Sequence, residues 1–282
     1  MPRLNILGFL NLRIELNTKL SELFAKTKAE KRAALIGYLP AGFPSKRESI
    51  EFIKAMIDGG VDAVEVGFPY SDPVMDGPII QQASEISLHN KTKAEDVLSL
   101  QADVAKLNVP AVVMSYWNPI ERYGSDKFLT KMKSINGAGV ITPDLTIDES
   151  GEWIKNCRTT EIDSIFVVAP NTSDERLAQV TKLCTGFIYA ASIMGVTGTR
   201  TAVSSQAKDL VTRIRKFSNL PVAVGLGVSN REQAKEVAQY ADGVIVGSAF
   251  IKLILANTDK QKAFADVKQL AQQLSEGVRS VG

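Results

Sequence analysis

Short apolar runs recur along this chain, and longer stretches with apolar residues at helical spacing separate them. The runs are Ala34 to Leu39, Ala63 to Gly67, Ala111 to Ser115, Gly139 to Ile141, Ser164 to Ala169, Gly186 to Ala190, Val222 to Gly225 and Gly243 to Gly247. Bounded by turn residues, they read as buried strands. Between them, Arg47 to Asp58, Asp148 to Cys157, Ser173 to Leu183, Ser205 to Phe217 and Asn230 to Tyr240 read as helices. Several open on Ser, Asp or Asn, whose side chains cap helix N-termini. Parallel strands need such crossovers, because a hairpin cannot join them. The pattern predicts about eight βα units, the number that closes a barrel.

An open doubly wound sheet shares this alternation, but the segments after the strands favour closure. LPAGFP, FPYSDPVMDGP, SYWNPIERYG, TPDLT, APNTSDE, SIMGVTGTRT, LGVSN and SAF are polar or Gly-rich. In a barrel such loops share one rim, where catalytic groups collect. The expected fold is α/β, a single-domain (β/α)8 TIM barrel over residues 21–282 with a short N-terminal extension at residues 1–20.

Composition narrows the function. At 282 residues one barrel domain suffices, since barrels run to roughly 250 residues. Lys+Arg 33 against Asp+Glu 31 leaves a formal charge of +2 with no basic block, which argues against a nucleic-acid partner. Cys157 and Cys184 lack a CxxC spacing and His89 is the only histidine, so neither a metal site nor a disulfide framework is expected. His89, beside Asn90 near a helix end, reads as a surface or capping residue. Asn5, Asn11 and Arg13 interrupt the apolar N-terminal stretch, and no small-residue cleavage site follows. No run approaches the roughly 20 apolar residues of a membrane span. The expected location is cytoplasmic.

The segment VDAVEVGFPYSDPVMDGP, Val61 to Pro78, carries the chemistry. Strand neighbours face opposite sides, so Glu65 points away from Val64 and Val66. If that other side is also interior, an ionised carboxylate there is costly unless paired or partly protonated. A structural ion pair is the bland alternative. Asp72 and Asp76 lie in the following loop, where Asp also serves simply to cap turns.

Gly225, Gly227 and Val228 end the seventh strand, and Gly247 and Ser248 end the eighth. The loops after those two strands, with a short extra helix, bind phosphate in many barrels. Glycine lets the backbone approach, and free N–H groups with the helix dipole favour an anion. The ligand implied is a small phosphate ester. The alternative is that these glycines only end strands and Ser248 only caps a helix. GVTG at Gly195 to Gly198 suits either a plain connector or a lid that closes over substrate.

Taken together, EVGFPYSDPVMDGP, GVTG, LGVS and VIVGSA identify the chain as resembling the tryptophan synthase alpha subunit family from about Ser21 to Ile254. MSYWNPIERYG, GVITPDL and YAASIMGVTG are similar to its actinobacterial branch. The resemblance implies a lyase that cleaves indole-3-glycerol phosphate to indole and glyceraldehyde 3-phosphate in tryptophan biosynthesis. Glu65 matches the catalytic glutamate and Asp76 the second acid. Tyr38, Met114, Tyr116, Ile141 and Tyr189 would line the indole pocket. Thr197 would bond Asp76 when the lid closes, and Gly198, Gly225, Gly227, Gly247 and Ser248 match the phosphate cradle. No cofactor is implied in this chain. The family works with a beta subunit that holds pyridoxal phosphate, in an alpha2beta2 heterotetramer, and Pro69 to Pro73 and Trp117 to Arg122 are candidate partner contacts. Phe43, Met75, Thr146 and Met194 depart from common family residues without touching either acid.

Two rivals stay in view. Indole-3-glycerol phosphate synthase, another phosphate-binding barrel, would need a catalytic lysine near the strand ends. A non-catalytic subunit that only activates a beta chain would not need both acids.

Overall fold

Two apolar cores, one on each face of a single sheet, account for the continuous apolar runs. The computed structural model describes residues 18–191, 200–225 and 227–281. In chain order the elements are α1 (Lys19–Ala29), β1 (Ala34–Pro40), α2 (Lys46–Asp58), β2 (Ala63–Gly67), α3 (Pro78–His89), α4 (Ala94–Ala105), β3 (Ala111–Met114), α5 (Trp117–Tyr123), α6 (Ser125–Ser134) and β4 (Gly139–Thr142). There follow α7 (Gly151–Thr160), β5 (Asp163–Val168), α8 (Asp174–Leu183), β6 (Ile188–Ala191), α9 (Arg200–Ile214), β7 (Val222–Gly225), α10 (Arg231–Ala238), β8 (Gly243–Val246), α11 (Ser248–Ala256) and α12 (Lys260–Arg279). The strands close in sequence order into one parallel barrel, with β1 paired to both β2 and β8.

Alternation along the strands divides the apolar residues. Ala34, Ile36, Ala63, Val112, Ile141, Ile165, Ala223 and Ile245 pack inside the barrel. Leu35, Val64, Val66, Val113, Val140, Val168, Val222, Val224, Val244 and Val246 pack outside it, under the helices. Sheets covered on both faces require this double burial.

α1 forms the floor. Thr18 caps it by accepting from Ser21 N, and Leu20, Leu23 and Phe24 join the inner core. The Phe24 ring centroid lies 5.7 Å from that of Phe187. The expected boundary at residue 20 therefore falls inside α1, where Leu20 is fully buried. Residues 1–17 lie outside the described residues. No helix among the described residues is long and apolar enough to cross a membrane.

Three helix limits differ from expectation for local reasons. Asp148 does not open α7: Thr146 Oγ1 bonds the Glu149 carboxylate at 2.9 Å and Glu149 N bonds Thr146 O at 3.1 Å, making a separate turn. α9 begins at Arg200 rather than Ser205, since no Gly or Pro interrupts the intervening residues. Trp117 to Arg122, expected as a loop, belong to α5, with Pro119 in its first turn, where proline is tolerated.

An ion pair ties the entrances of β1 and β2. Arg32 Nη1 and Nη2 grip Asp62 at 2.7 and 2.9 Å, and Leu35 N donates to Asp62 at 2.9 Å. The two side chains are only 4% and 11% exposed. Breaking a buried pair by removing one partner costs about 3–5 kcal/mol, and Glu30 stays beside Arg32 at 2.6 Å to soften the loss. Asp62→Ala is therefore expected to destabilise by about 3 kcal/mol, measured as a lowered urea midpoint. A shift too small to resolve would show that this clamp does not hold the barrel floor.

Candidate active site

β2 sets the first acid. All five of its residues are buried, and Val64 and Val66 go to the outer core, which leaves Glu65 facing the barrel interior. Glu65 is 1% exposed, and its Oε2 finds no hydrogen-bond partner among the described residues. Burial raises its pKa from 4.5 to about 8, with the charge of Asp76 adding to the push. The carboxyl group is thus held in its acid form at neutral pH.

The second acid comes from the loop between β2 and α3. Three internal bonds shape that loop: Ser71 Oγ to Asp72 at 2.6 Å, Val74 N to Asp72 O at 2.9 Å and Asp76 N to Pro73 O at 3.1 Å. Gln81 Nε2 holds the Asp76 carbonyl at 2.8 Å from the first turn of α3. Asp72 stays exposed, whereas Asp76 is half-buried. Burial lifts the Asp76 pKa to about 6, and a hydrogen bond from Tyr116 restrains the rise.

Three tyrosines complete the mouth. Tyr38 sits in register with Glu65 across β1 and β2, and its phenol is pushed well above its ordinary pKa, first by burial and then by the charges of Asp76 and Glu65. Tyr189, on β6, is raised by burial and by the same two carboxylates. Tyr116 follows β3, 5% exposed, and its hydroxyl accepts Met75 N–H at 2.9 Å. The structure therefore brings Glu65, Asp76, Tyr38, Tyr116 and Tyr189 into one electrostatic group. Met114 and Ile141, paired across β3 and β4, stand on the inner face below them.

The glycine turns adjoin this group. A Cβ on Gly247 would meet Tyr38 Cδ1 at 2.8 Å, and one on Gly225 would meet the Tyr189 hydroxyl at 2.6 Å. Those two glycines make room for the tyrosine rings. Gly227 has φ +73°, a left-handed backbone that favours glycine, with open space around it. Gly247 precedes α11 without a side-chain cap, and Ser248 opens the helix half-buried. First-turn N–H groups and the helix dipole suit such a site to an anion. Thr197, Gly198 and the rest of GVTG lie outside the described residues.

Sequence reasoning passed over Asp144. Its Oδ1 accepts Trp117 N–H at 2.8 Å, fixing the turn next to Tyr116. The sequence signal was only an Asp in the TPDL turn, a common capping context. On the rim, Val74 is 81% and Met75 39% exposed, beside the expected partner segment Pro69 to Pro73.

Comparison with known proteins agrees with this geometry. The family profile described as tryptophan synthase alpha chain matches residues 24–279. The tryptophan synthase alpha chain of Thermobifida fusca is 51% identical over 266 residues, covering 93% of this chain and 98% of that one. That of Streptomyces avermitilis is 51% identical over 261 residues, covering 92% and 94%. A Mycobacterium tuberculosis tryptophan synthase structure superposes with a TM-score of 0.86 at 44% identity, covering 93% of this chain and 98% of that one. With a closed eightfold barrel and a profile match over nearly its whole folded length, this chain belongs to the tryptophan synthase alpha chain family.

Proposed function

We propose that the chain cleaves indole-3-glycerol phosphate to indole and D-glyceraldehyde 3-phosphate, with Glu65 as the proton carrier and Asp76 as the electrostatic partner. The observation that carries the assignment of roles is the split between two neighbouring carboxyl groups. Glu65, at about 8, is an acid at neutral pH, and Asp76, at about 6, is mostly ionised. Environments that push paired carboxyls apart in this way mark acid and base roles.

Glu65 gives its proton to the indole ring carbon that bears the side chain. Positive charge then develops on the indole nitrogen, where the Asp76 carboxylate stabilises it. The carbon–carbon bond breaks toward the ring, the adjacent hydroxyl becomes an aldehyde, and Glu65 takes up the hydroxyl proton. Its acid form is restored, so no net proton is consumed. Tyr38, Tyr116, Tyr189, Met114 and Ile141 form the wall against the indole ring. Gly198, Gly225, Gly227, Gly247 and Ser248 receive the phosphate, and Thr197 bonds Asp76.

Indole released at the rim passes to a tryptophan synthase beta subunit docked across Pro69 to Pro73 and the α5 segment. Pyridoxal phosphate belongs to that partner, and the pair works in the cytoplasm as an alpha2beta2 assembly. The rival ring-closing enzyme is disfavoured, because none of β1 to β8 carries a lysine. Both acids also face one mouth, which a purely activating subunit does not require.

The direct test incubates the purified chain with indole-3-glycerol phosphate, alone and with a beta subunit, and measures indole. Slow release alone and strong acceleration in the complex are expected. Absence of indole in both conditions would overturn the proposal.

A further inference from the structure

The wall residue Tyr116 makes two bonds that a purely apolar wall does not need. Its hydroxyl accepts Met75 N–H at 2.9 Å and donates to the Asp76 carboxyl, so it grips two consecutive residues of the β2–α3 loop. Its ring lies 5.2 Å from that of Tyr70, near the start of the same loop, with the planes at 33°. Tyr116 is itself well anchored. Ser115 N donates to Ile141 O at 3.0 Å and Ser115 Oγ to Tyr116 O at 2.8 Å, while Asp144 fixes the next residue through Trp117 N at 2.8 Å. The Trp117 ring then meets Trp153 edge-on at 5.3 Å. A strand end anchored to β4 therefore holds a loop whose other ties at Asp76 are to backbone atoms, Asp76 N to Pro73 O and Gln81 Nε2 to Asp76 O.

Building on the proposed roles of Glu65 and Asp76, we infer that Tyr116 is a positioning residue that clamps the β2–α3 loop at both ends. It sets where the Asp76 carboxylate stands relative to Glu65, and it links that position to the rim segment beginning at Trp117. The hydroxyl supplies the polar grip and the ring supplies the stacking. Movement of Trp117 on partner docking would shift the Tyr116 hydroxyl, and Asp76 with it.

Tyr116→Phe separates the two contributions, because it retains the ring against Tyr70 and removes only the hydroxyl's polar grip. The charged and titratable groups facing Asp76 are Glu65 from β2, Tyr38 from β1, Tyr189 from β6 and Tyr116 itself, with Asp144 behind Tyr116. Of these, Tyr116 donates a hydrogen bond that favours the ionised Asp76. Losing it raises the Asp76 midpoint, and the acid limb of kcat/KM moves to higher pH. A shift of about one pH unit gives close to a tenfold loss at pH 5.5, with the ratio to wild type returning toward one by pH 8.

A purely structural role predicts the opposite form, an equal loss at every pH. Titration of the Asp76 carboxyl carbon by NMR, in wild type and Tyr116→Phe, reads the clamp without any turnover. An upward-moved midpoint is expected. An unmoved midpoint, or a uniform loss of kcat/KM, overturns the inference. In an Asp76→Asn background, Tyr116→Phe should leave the acid limb unchanged. A wild-type chain that releases no indole would defeat the proposed reaction, and the NMR titration would still decide the clamp.

Discussion

Glu65→Gln is expected to abolish measurable indole release from indole-3-glycerol phosphate while the barrel stays folded. The amide matches the carboxyl group in shape but neither gives nor takes the required proton. A single general acid–base group is typically worth about 10²–10⁴-fold, and here one group is assigned two transfers. Stability should change in the other direction. The folded pKa of Glu65, about 8, exceeds its ordinary 4.5, so between those values the folded chain binds more protons than the unfolded one. Stability therefore falls as pH rises through that window, by on the order of a few kcal/mol once the group ionises. The glutamine variant escapes that cost. Its melting temperature should exceed that of wild type at pH 8.5 and converge with it near pH 4. Near-normal turnover in this variant would remove Glu65 from the mechanism. Equal melting temperatures at every pH would show that burial does not strain the carboxyl group.

The inward direction of Glu65 was legible before any coordinates, because a period of two leaves no choice once Val64 and Val66 are assigned to the other face. β2 and β7 fall at the expected limits for a related reason: each is an apolar run ended by glycine. The helix caps at Ser173 and Asn230 were legible as well, each accepting an N–H three residues on. What composition and spacing could not separate was Asp72 from Asp76, which only the family resemblance told apart. Both sit in a loop rich in turn formers, and local propensity treats them alike. The difference is made by Tyr116, forty residues later in the chain and adjacent only after the barrel closes. The pairing of glycine turns with tyrosine rings was hidden for the same reason. Gly247 looked like a phosphate contact, but it is equally the space that Tyr38 occupies.

The second large loss is expected for Asp76→Asn, and its pattern should differ from that of Glu65→Gln. Its carboxylate acts on charge that appears only as the ring is protonated, so its removal should lower kcat and kcat/KM together and leave KM nearly unchanged. Electrostatic groups of this kind are worth about 10²–10³-fold, leaving a residual rate that can be followed against pH. That residual rate carries the informative signal. The charge of Asp76 is one of the two causes raising Glu65, so an uncharged residue at position 76 should let Glu65 lose its proton more readily. The alkaline fall in kcat, which reports loss of the acid form of Glu65, should move to lower pH in Asp76→Asn. Two carboxyls that interact in this way titrate as a pair, and changing one must displace the other. An alkaline limb fixed at its wild-type position would mean that the two acids act independently, and the electrostatic role given to Asp76 would fail.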